Sequence, residues 1–206
     1  MFVARLRTAA AFAALVVTAL SSAIVPAHAQ GFFLFDWGNT TAAEPQFQSS
    51  ARLVAFPSRF APGQIFVSFG DRQLYWVTSR GRAIAYPIAS PRAQSAWTGV
   101  LRVSAKKVNP AWTPTAAMRR ENPRLPAFVP GGHPQNPLGN RALYLGSTLY
   151  RIHGTDAPWT IGRPVSKGCV RMHNRDVADL YRRVPIGTKV TATYKRFRVQ
   201  QPAAFW

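Results

Sequence analysis

The chain has 206 residues, 26 Lys and Arg against 7 Asp and Glu, a formal net charge of +19 and a single cysteine. One cysteine excludes an internal disulfide framework, and so few acids, none of them clustered near the other candidate residues, argue against paired carboxylates as a catalytic engine. A surface this basic seeks polyanions, but the arginines are scattered from Arg52 to Arg198, which favours a solvated, weakly adhesive surface over a dedicated polyanion site.

The amino terminus reads as a secretory signal. Met1 to Arg7 carries Arg5 and Arg7 and no acid, Ala9 to Leu20 is almost wholly apolar, and Ala27-His28-Ala29 is a small-x-small cleavage site. Removing residues 1–29 leaves about 177 residues at a charge near +17, enough for one domain with its own core. The apolar stretch is too short to span a membrane comfortably, so the mature chain is expected to be exported to the periplasm or cell envelope without a transmembrane span. That destination leaves anionic envelope polymers and lipid headgroups as candidate partners and disfavours nucleic acid.

Residues 30–61 read as an aromatic and polar approach segment or linker. Gly31 to Trp37 is strongly aromatic, whereas Asn39 to Ser50 shows neither helical nor strand period. From Pro62 short β-branched and aromatic runs alternate with turns. Gln64–Phe69, Gln73–Thr78 and Arg82–Ile88, separated at Gly70-Asp71 and Ser79-Arg80-Gly81, predict a β-meander. Between Val108 and Pro137, prolines at 110, 114, 123, 126, 130, 134 and 137 exclude long helices and central strands. This stretch is expected to be a long loop, either a cover over a site or a plain insertion.

Arg141–Leu145 and Thr148–Ile152 predict a hairpin around Gly146-Ser147 that delivers His153 to the end of a strand. Asn174 is placed to cap a helix, with Asp176 in its first turn and Val177, Leu180, Tyr181 and Val184 at helical spacing. Pro185-Ile186-Gly187 ends it, Lys189–Tyr194 resumes as strand, and residues 195–206 form a tail.

Cys169 carries the chemistry. It lies in Ser166-Lys167-Gly168-Cys169-Val170-Arg171, sixteen positions after His153. A thiol becomes a strong nucleophile only as thiolate, and His153, Lys167 and Arg171 are the groups that would favour that state. In an oxidising compartment an unpaired cysteine is otherwise a small buried hydrophobe, but the glycine, cations and histidine around this one favour the nucleophile. There is no Cys/His metal spacing, no phosphate-cradling glycine loop and no Gly-x-Ser-x-Gly elbow, so no cofactor or metal is expected. Cys/His acyl transfer remains, with backbone amides at Gly168 and Cys169 as candidate oxyanion donors.

Together these motifs resemble the catalytic domain of the L,D-transpeptidases, the YkuD-type cell-wall enzymes, over about residues 62–194. The resemblance rests on Asn136-Pro137-Leu138-Gly139, Ile152-His153-Gly154-Thr155, Trp159-Thr160-Ile161-Gly162, the cysteine box and Val184-Pro185-Ile186-Gly187-Thr188, in the family's order. It implies a mostly β, sandwich-like fold with one main α-helix after the nucleophile and a long proline-rich loop. It also implies that Cys169 attacks a peptidoglycan tetrapeptide stem at its third residue, typically meso-diaminopimelate, expelling the terminal D-alanine, with His153 as general base and the Gly154 carbonyl orienting its ring. The acceptor would be an amine of a neighbouring stem or a lysine of an envelope protein, and carbapenem-type β-lactams would be covalent inhibitors. Arg171 is implied in binding a substrate carboxylate, Ser166 and Gly168 in shaping the loop, and Trp159 in walling the cleft.

Lys167 departs from the family box, which most often has histidine there; activity is expected to persist because Cys169 and His153 are both present. An ordinary pairing of Arg171 with Asp176 or Asp179 is the competing role for that arginine. His133 and His173 read as surface or capping residues, His133 at the rim of a cleft. Two other functions fit the same residues: a hydrolase of the same fold that uses water as acceptor, and a non-catalytic basic wall-binding module with a vestigial cysteine.

Overall fold

The computed structural model describes residues 49–197 and 199; the export signal and residues 30–48 of the approach segment lie outside the described residues. Among the described residues eleven strands and two α-helices follow one another, and nine of the strands form one hydrogen-bonded series. The predicted meander is present as β2 (Ile65–Ser68), β3 (Gln73–Ser79) and β4 (Arg82–Pro87). Its side chains obey the two-residue alternation of a strand on both faces. Ile65, Val67, Leu74, Trp76 and Tyr86 enter the main core, while Phe66, Tyr75, Val77, Ala83 and Ala85 enter a second, aromatic-rich cluster on the opposite face.

Two expected boundaries need correction. β1 (Arg52–Ala55), inside the stretch read as an approach segment or linker ahead of the domain, pairs antiparallel with β4 and buries Val54. A four-residue edge strand with one buried side chain carries too little periodicity to be read from sequence. At the other end, Phe197, expected in a tail, is buried in the aromatic cluster, and its N–H donates to Asp71 Oδ2 at 2.8 Å.

The longest strand, β6 (Gly99–Val108), joins the two halves of the sheet. Its first half pairs with β11 (Lys189–Thr193), which runs parallel to β2; its second half, beyond an irregularity at Val103–Ala105, pairs with β7 (Arg141–Leu145). β7 then pairs with β8 (Arg151–His153), and β8 with β10 (Val170–Arg171), giving the mostly β architecture expected. A small parallel pair of β5 (Ser90–Pro91) and β9 (Pro164–Ser166) flanks the cysteine loop.

The helix after the nucleophile, α2 (Asn174–Arg183), inserts Val177 and Leu180 into the main core. His173, not Asn174, holds its N-cap position. Asn174 instead turns its Oδ1 inward to accept from Thr155 N at 3.0 Å and Asn140 N at 3.4 Å, tying the helix to the segment after His153. Asp176 is fully buried and accepts from Ser49 Oγ and Ser50 Oγ at 2.7 Å each and from Ser50 N at 3.2 Å. At the other end Lys106 Nζ donates to the carbonyls of Tyr181 and Val184 at 2.6 and 2.8 Å, a cation placed on the negative end of the helix.

The proline-rich segment contains one short helix, α1 (Ala116–Glu121), capped by Thr115 Oγ1. Asn136 fastens the segment at both ends. Buried itself, it donates through Nδ2 to Pro110 O at 2.8 Å and Pro130 O at 3.0 Å, and accepts from Leu138 N at 2.9 Å through Oδ1. Among the described residues no helix is long and apolar enough to cross a membrane.

Candidate active site

Strand register brings the key side chains together. β8 and β10 run parallel with Ile152 opposite Val170 and His153 opposite Arg171. Ile152 and Val170 are fully buried in the core, so the alternation turns Arg151, His153 and Arg171 to the other face. Cys169, one residue ahead of β10, joins them there, and all four side chains line one cavity of about 750 Å³. A second cavity of about 760 Å³ shares Arg92, Trp112, Glu121, Lys167 and Arg171 with the first, so the two form one continuous cleft roofed by the proline-rich segment. Of the two roles open to that segment, cover or plain insertion, the cover is the one observed; His133 lies in the second cavity.

The imidazole is held in one tautomer. His153 is 3% exposed and its Nδ1 lies 2.6 Å from Gly154 O. A carbonyl oxygen only accepts, so Nδ1 carries the proton and Nε2 keeps the lone pair of the neutral ring. Burial, followed by the charges of Arg171 and Arg151, pushes the His153 pKa down to about 3. The ring is therefore an uncharged base at neutral pH.

Cys169 is half-buried, and its thiol donates weakly to Leu149 O at 3.5 Å. Burial pushes the thiol pKa up; the Arg151 backbone N–H, the Arg151 guanidinium and then Arg171 pull it back. At rest the cleft thus holds a thiol and a neutral imidazole.

The loop before the sulfur is tightly fixed. Ser166 is buried and its Oγ donates to Cys169 O, closing the turn between them. Trp97 Nε1 donates to Gly168 O at 3.0 Å, and the Trp97 ring stacks on Tyr150 at 5.0 Å and 14°. Gly168 has φ +125°, and a Cβ there would sit 2.6 Å from Tyr150 Cε1, so only glycine fits. Because the Gly168–Cys169 peptide is trans, fixing its carbonyl on Trp97 aims the Cys169 N–H the opposite way.

The other expected residues divide. Arg171 lines the cleft and feels Asp156, while Asp176 binds Ser49 and Ser50 and Asp179 binds Tyr86, Arg182 and Arg183, so the competing pairing is not made. Lys167 lines the cleft but its Nζ is engaged by Glu121 of α1; the cations acting on Cys169 are Arg151 and Arg171. Trp159 does not wall the cleft. It is 71% exposed on the 3₁₀ turn Pro158–Thr160, and the tryptophans at the site are Trp112 on the roof and Trp97 behind the loop. Trp97, Trp112 and Arg151 were not singled out by sequence; the alternation Arg151-Ile152-His153 carried a signal for the last, since a residue two before His153 in a strand must share its face. Among the described residues no group of three His, Cys, Asp or Glu is placed to hold a metal ion.

Residues 62–191 match the family model described as YkuD, L,D-transpeptidase catalytic domain. A probable L,D-transpeptidase, YbiS of Escherichia coli K12, is 51% identical over 98 residues, 46% of this chain and 31% of that protein. The chain thus spans under a third of that relative. A putative L,D-transpeptidase encoded in the ATP synthase subunits region of Fuscovulum blasticum is 34% identical over 145 residues, 70% of this chain and 76% of that protein. Among solved structures, the Ldtfm–avibactam carbamoyl enzyme superposes with a TM-score of 0.53 at 18% identity, over 66% of this chain and 51% of that one, a likeness of fold.

Proposed function

This chain belongs to the YkuD family of L,D-transpeptidase catalytic domains, and from that premise we propose that it is an exported cysteine acyltransferase acting on peptidoglycan tetrapeptide stems. The observation that carries the proposal is the parallel register of β8 and β10, which turns Cys169 and His153 into one cleft with the base in a fixed tautomer. In the reaction Sγ bonds to the carbonyl carbon of the third stem residue as the thiol proton passes to His153 Nε2. The Cys169 N–H, aimed away from Trp97, donates to the developing oxyanion. Collapse breaks the bond to the terminal D-alanine, whose amine takes the proton from His153. A second amine, from a neighbouring stem or an envelope-protein lysine, then attacks the thioester, gives its proton through His153 to sulfur, and leaves as the new amide. Arg171 binds a carboxylate of the stem, with Asp156 available to an ammonium group.

The test is incubation of the purified mature protein with tetrapeptide muropeptides, followed by mass spectrometry of products and protein. A cross-linked dimer and a thioester on Cys169 are expected. A trimmed monomer would replace the amine acceptor by water. No product, together with no Cys169 adduct from a carbapenem, would refute acyl transfer, and retained binding to sacculi would then assign a wall-binding module.

A further inference from the structure

The cation that acts most strongly on the nucleophile lies outside the cysteine box, whose own Arg171 pulls more weakly. Lys167 is adjacent to Gly168 in sequence, yet its ammonium is held by Glu121 across the cleft. His153 is buried and neutral, and Arg92 is an exposed residue of the cleft lining. Arg151 occupies a different position. It is one strand residue from Ile152, on the face shared by His153 and Cys169, and it lines the same cavity. Its Nη1 donates to Leu149 O at 3.1 Å, the same carbonyl that faces the Cys169 thiol at 3.5 Å. Its guanidinium carbon lies 4.9 Å from the centre of the Tyr144 ring, its antiparallel neighbour on β7. Its Nε is buried and has no hydrogen-bond partner among the described residues.

We propose that Arg151 is the resident counter-cation of the Cys169 thiolate, which leaves His153, neutral at rest, to take up the thiol proton and hand it on. Leu149 O and the Tyr144 face hold the guanidinium without neutralising it, because neither is an anion. The unpartnered Nε–H is a donor held in reserve, satisfied when sulfur becomes negative. A buried polar group left without a partner is costly, and functional sites are where such groups persist. Of the charged groups facing the sulfur region, Arg171 adds a second, weaker pull and is opposed by Asp156, while Arg92, Lys167 and Glu121 sit on the cleft walls. Burial of the thiol and the two arginines act on it in opposite directions, so removing Arg151 leaves burial less opposed.

The inference rests on Cys169 being the nucleophile, but its test does not require transpeptidation. The rate of alkylation of Cys169 by iodoacetamide is measured against pH in the mature protein and in Arg151→Met, Arg151→Gln and Arg151→Lys. Both neutral variants are expected to move the alkylation midpoint up by about one pH unit, a loss of about tenfold in thiolate at any pH below it. Arg151→Lys is expected to stay near the wild-type midpoint, because it keeps the charge. A midpoint unchanged in the neutral variants would overturn the proposal, as would an equal shift in Arg151→Lys, which would mark a packing role. Slower muropeptide acylation with an unmoved alkylation profile would also overturn it, assigning Arg151 to the substrate. A midpoint that shifts as expected in the two neutral variants, with no acyl-enzyme formed from muropeptides by the wild-type protein, would fail the proposed function and leave this inference standing.

Discussion

Replacing Gly168 with alanine tests whether the cysteine loop is held by the Trp97–Tyr150 stack. The added Cβ would lie 2.6 and 2.9 Å from Tyr150 Cε1 and Cδ1. Tyr150 cannot swing clear without breaking its stacking on Trp97, whose indole N–H holds Gly168 O. A non-glycine residue at φ +125° carries strain of about 1–3 kcal/mol, and overpacking against the ring adds about 1–3 kcal/mol. A combined loss of about 2–6 kcal/mol is a large share of the roughly 5–15 kcal/mol that holds a domain together. It should appear in urea denaturation as a lower midpoint at unchanged slope. Carbapenem acylation at Cys169 should slow about a hundredfold, since a displacement of about 1 Å in a reacting group has that effect. Tyr150→Ala removes the steric partner, so the Gly168→Ala/Tyr150→Ala double variant should be destabilised by at least ~1 kcal/mol less than the sum of the singles. Wild-type stability and acylation in Gly168→Ala, or strict additivity in the double variant, would refute this account of the loop.

Other outcomes follow from single features of the site and its roof. His153 has a folded pKa of about 3 against roughly 6.5 unfolded, so below pH 6.5 the unfolded chain binds a proton that the folded one does not. Stability should therefore fall as pH drops from 6.5 towards 3, by up to about 1.4 kcal/mol per unit from this residue, and His153→Asn should flatten that slope in urea melts at pH 7, 5 and 4. Asn136→Ala removes three hydrogen bonds that close the roof and should cost about 2–3 kcal/mol, with faster protease cleavage between residues 110 and 137. The exposed Lys167–Glu121 pair should matter little to folding, so Glu121→Gln should leave the denaturation midpoint unchanged. Lys167→His should leave carbapenem acylation within a fewfold of wild type, because Lys167 is not among the cations acting on the sulfur.

What the sequence revealed follows the range of the interactions involved. The meander was legible because neighbouring strands share a period and are joined by short turns. The hairpin that ends at His153 was legible for the same reason, and α2 from its apolar spacing. Strand β6 carried a readable alternation, Leu101, Val103 and Ala105 against Arg102, Ser104 and Lys106, but only Val103 is fully buried, and the interspersed charges mask it. Contacts spanning more than a hundred residues had no local signal: Ser49 and Ser50 reach Asp176, and Asp71 reaches Phe197. Trp97 reaching Gly168 is of the same kind, because nothing near either residue specifies the other. Trp159 misled in the opposite way, as an aromatic in a motif is not thereby packed.

The small strand at Arg52–Ala55 sets where this domain can be cut. A recombinant fragment trimmed to residues 62–191 would retain every residue of the Cys169–His153 cleft, yet would strip the outer margin of β4 of its partner and take the serine donors from the carboxylate of Asp176. An unpaired margin of that kind recruits other chains, and a buried anion without donors weakens the helix beside the nucleophile. Such a fragment should clump during purification, whereas one spanning 49–199 should stay monodisperse, so the unit that aligns and the unit that folds are different lengths of chain.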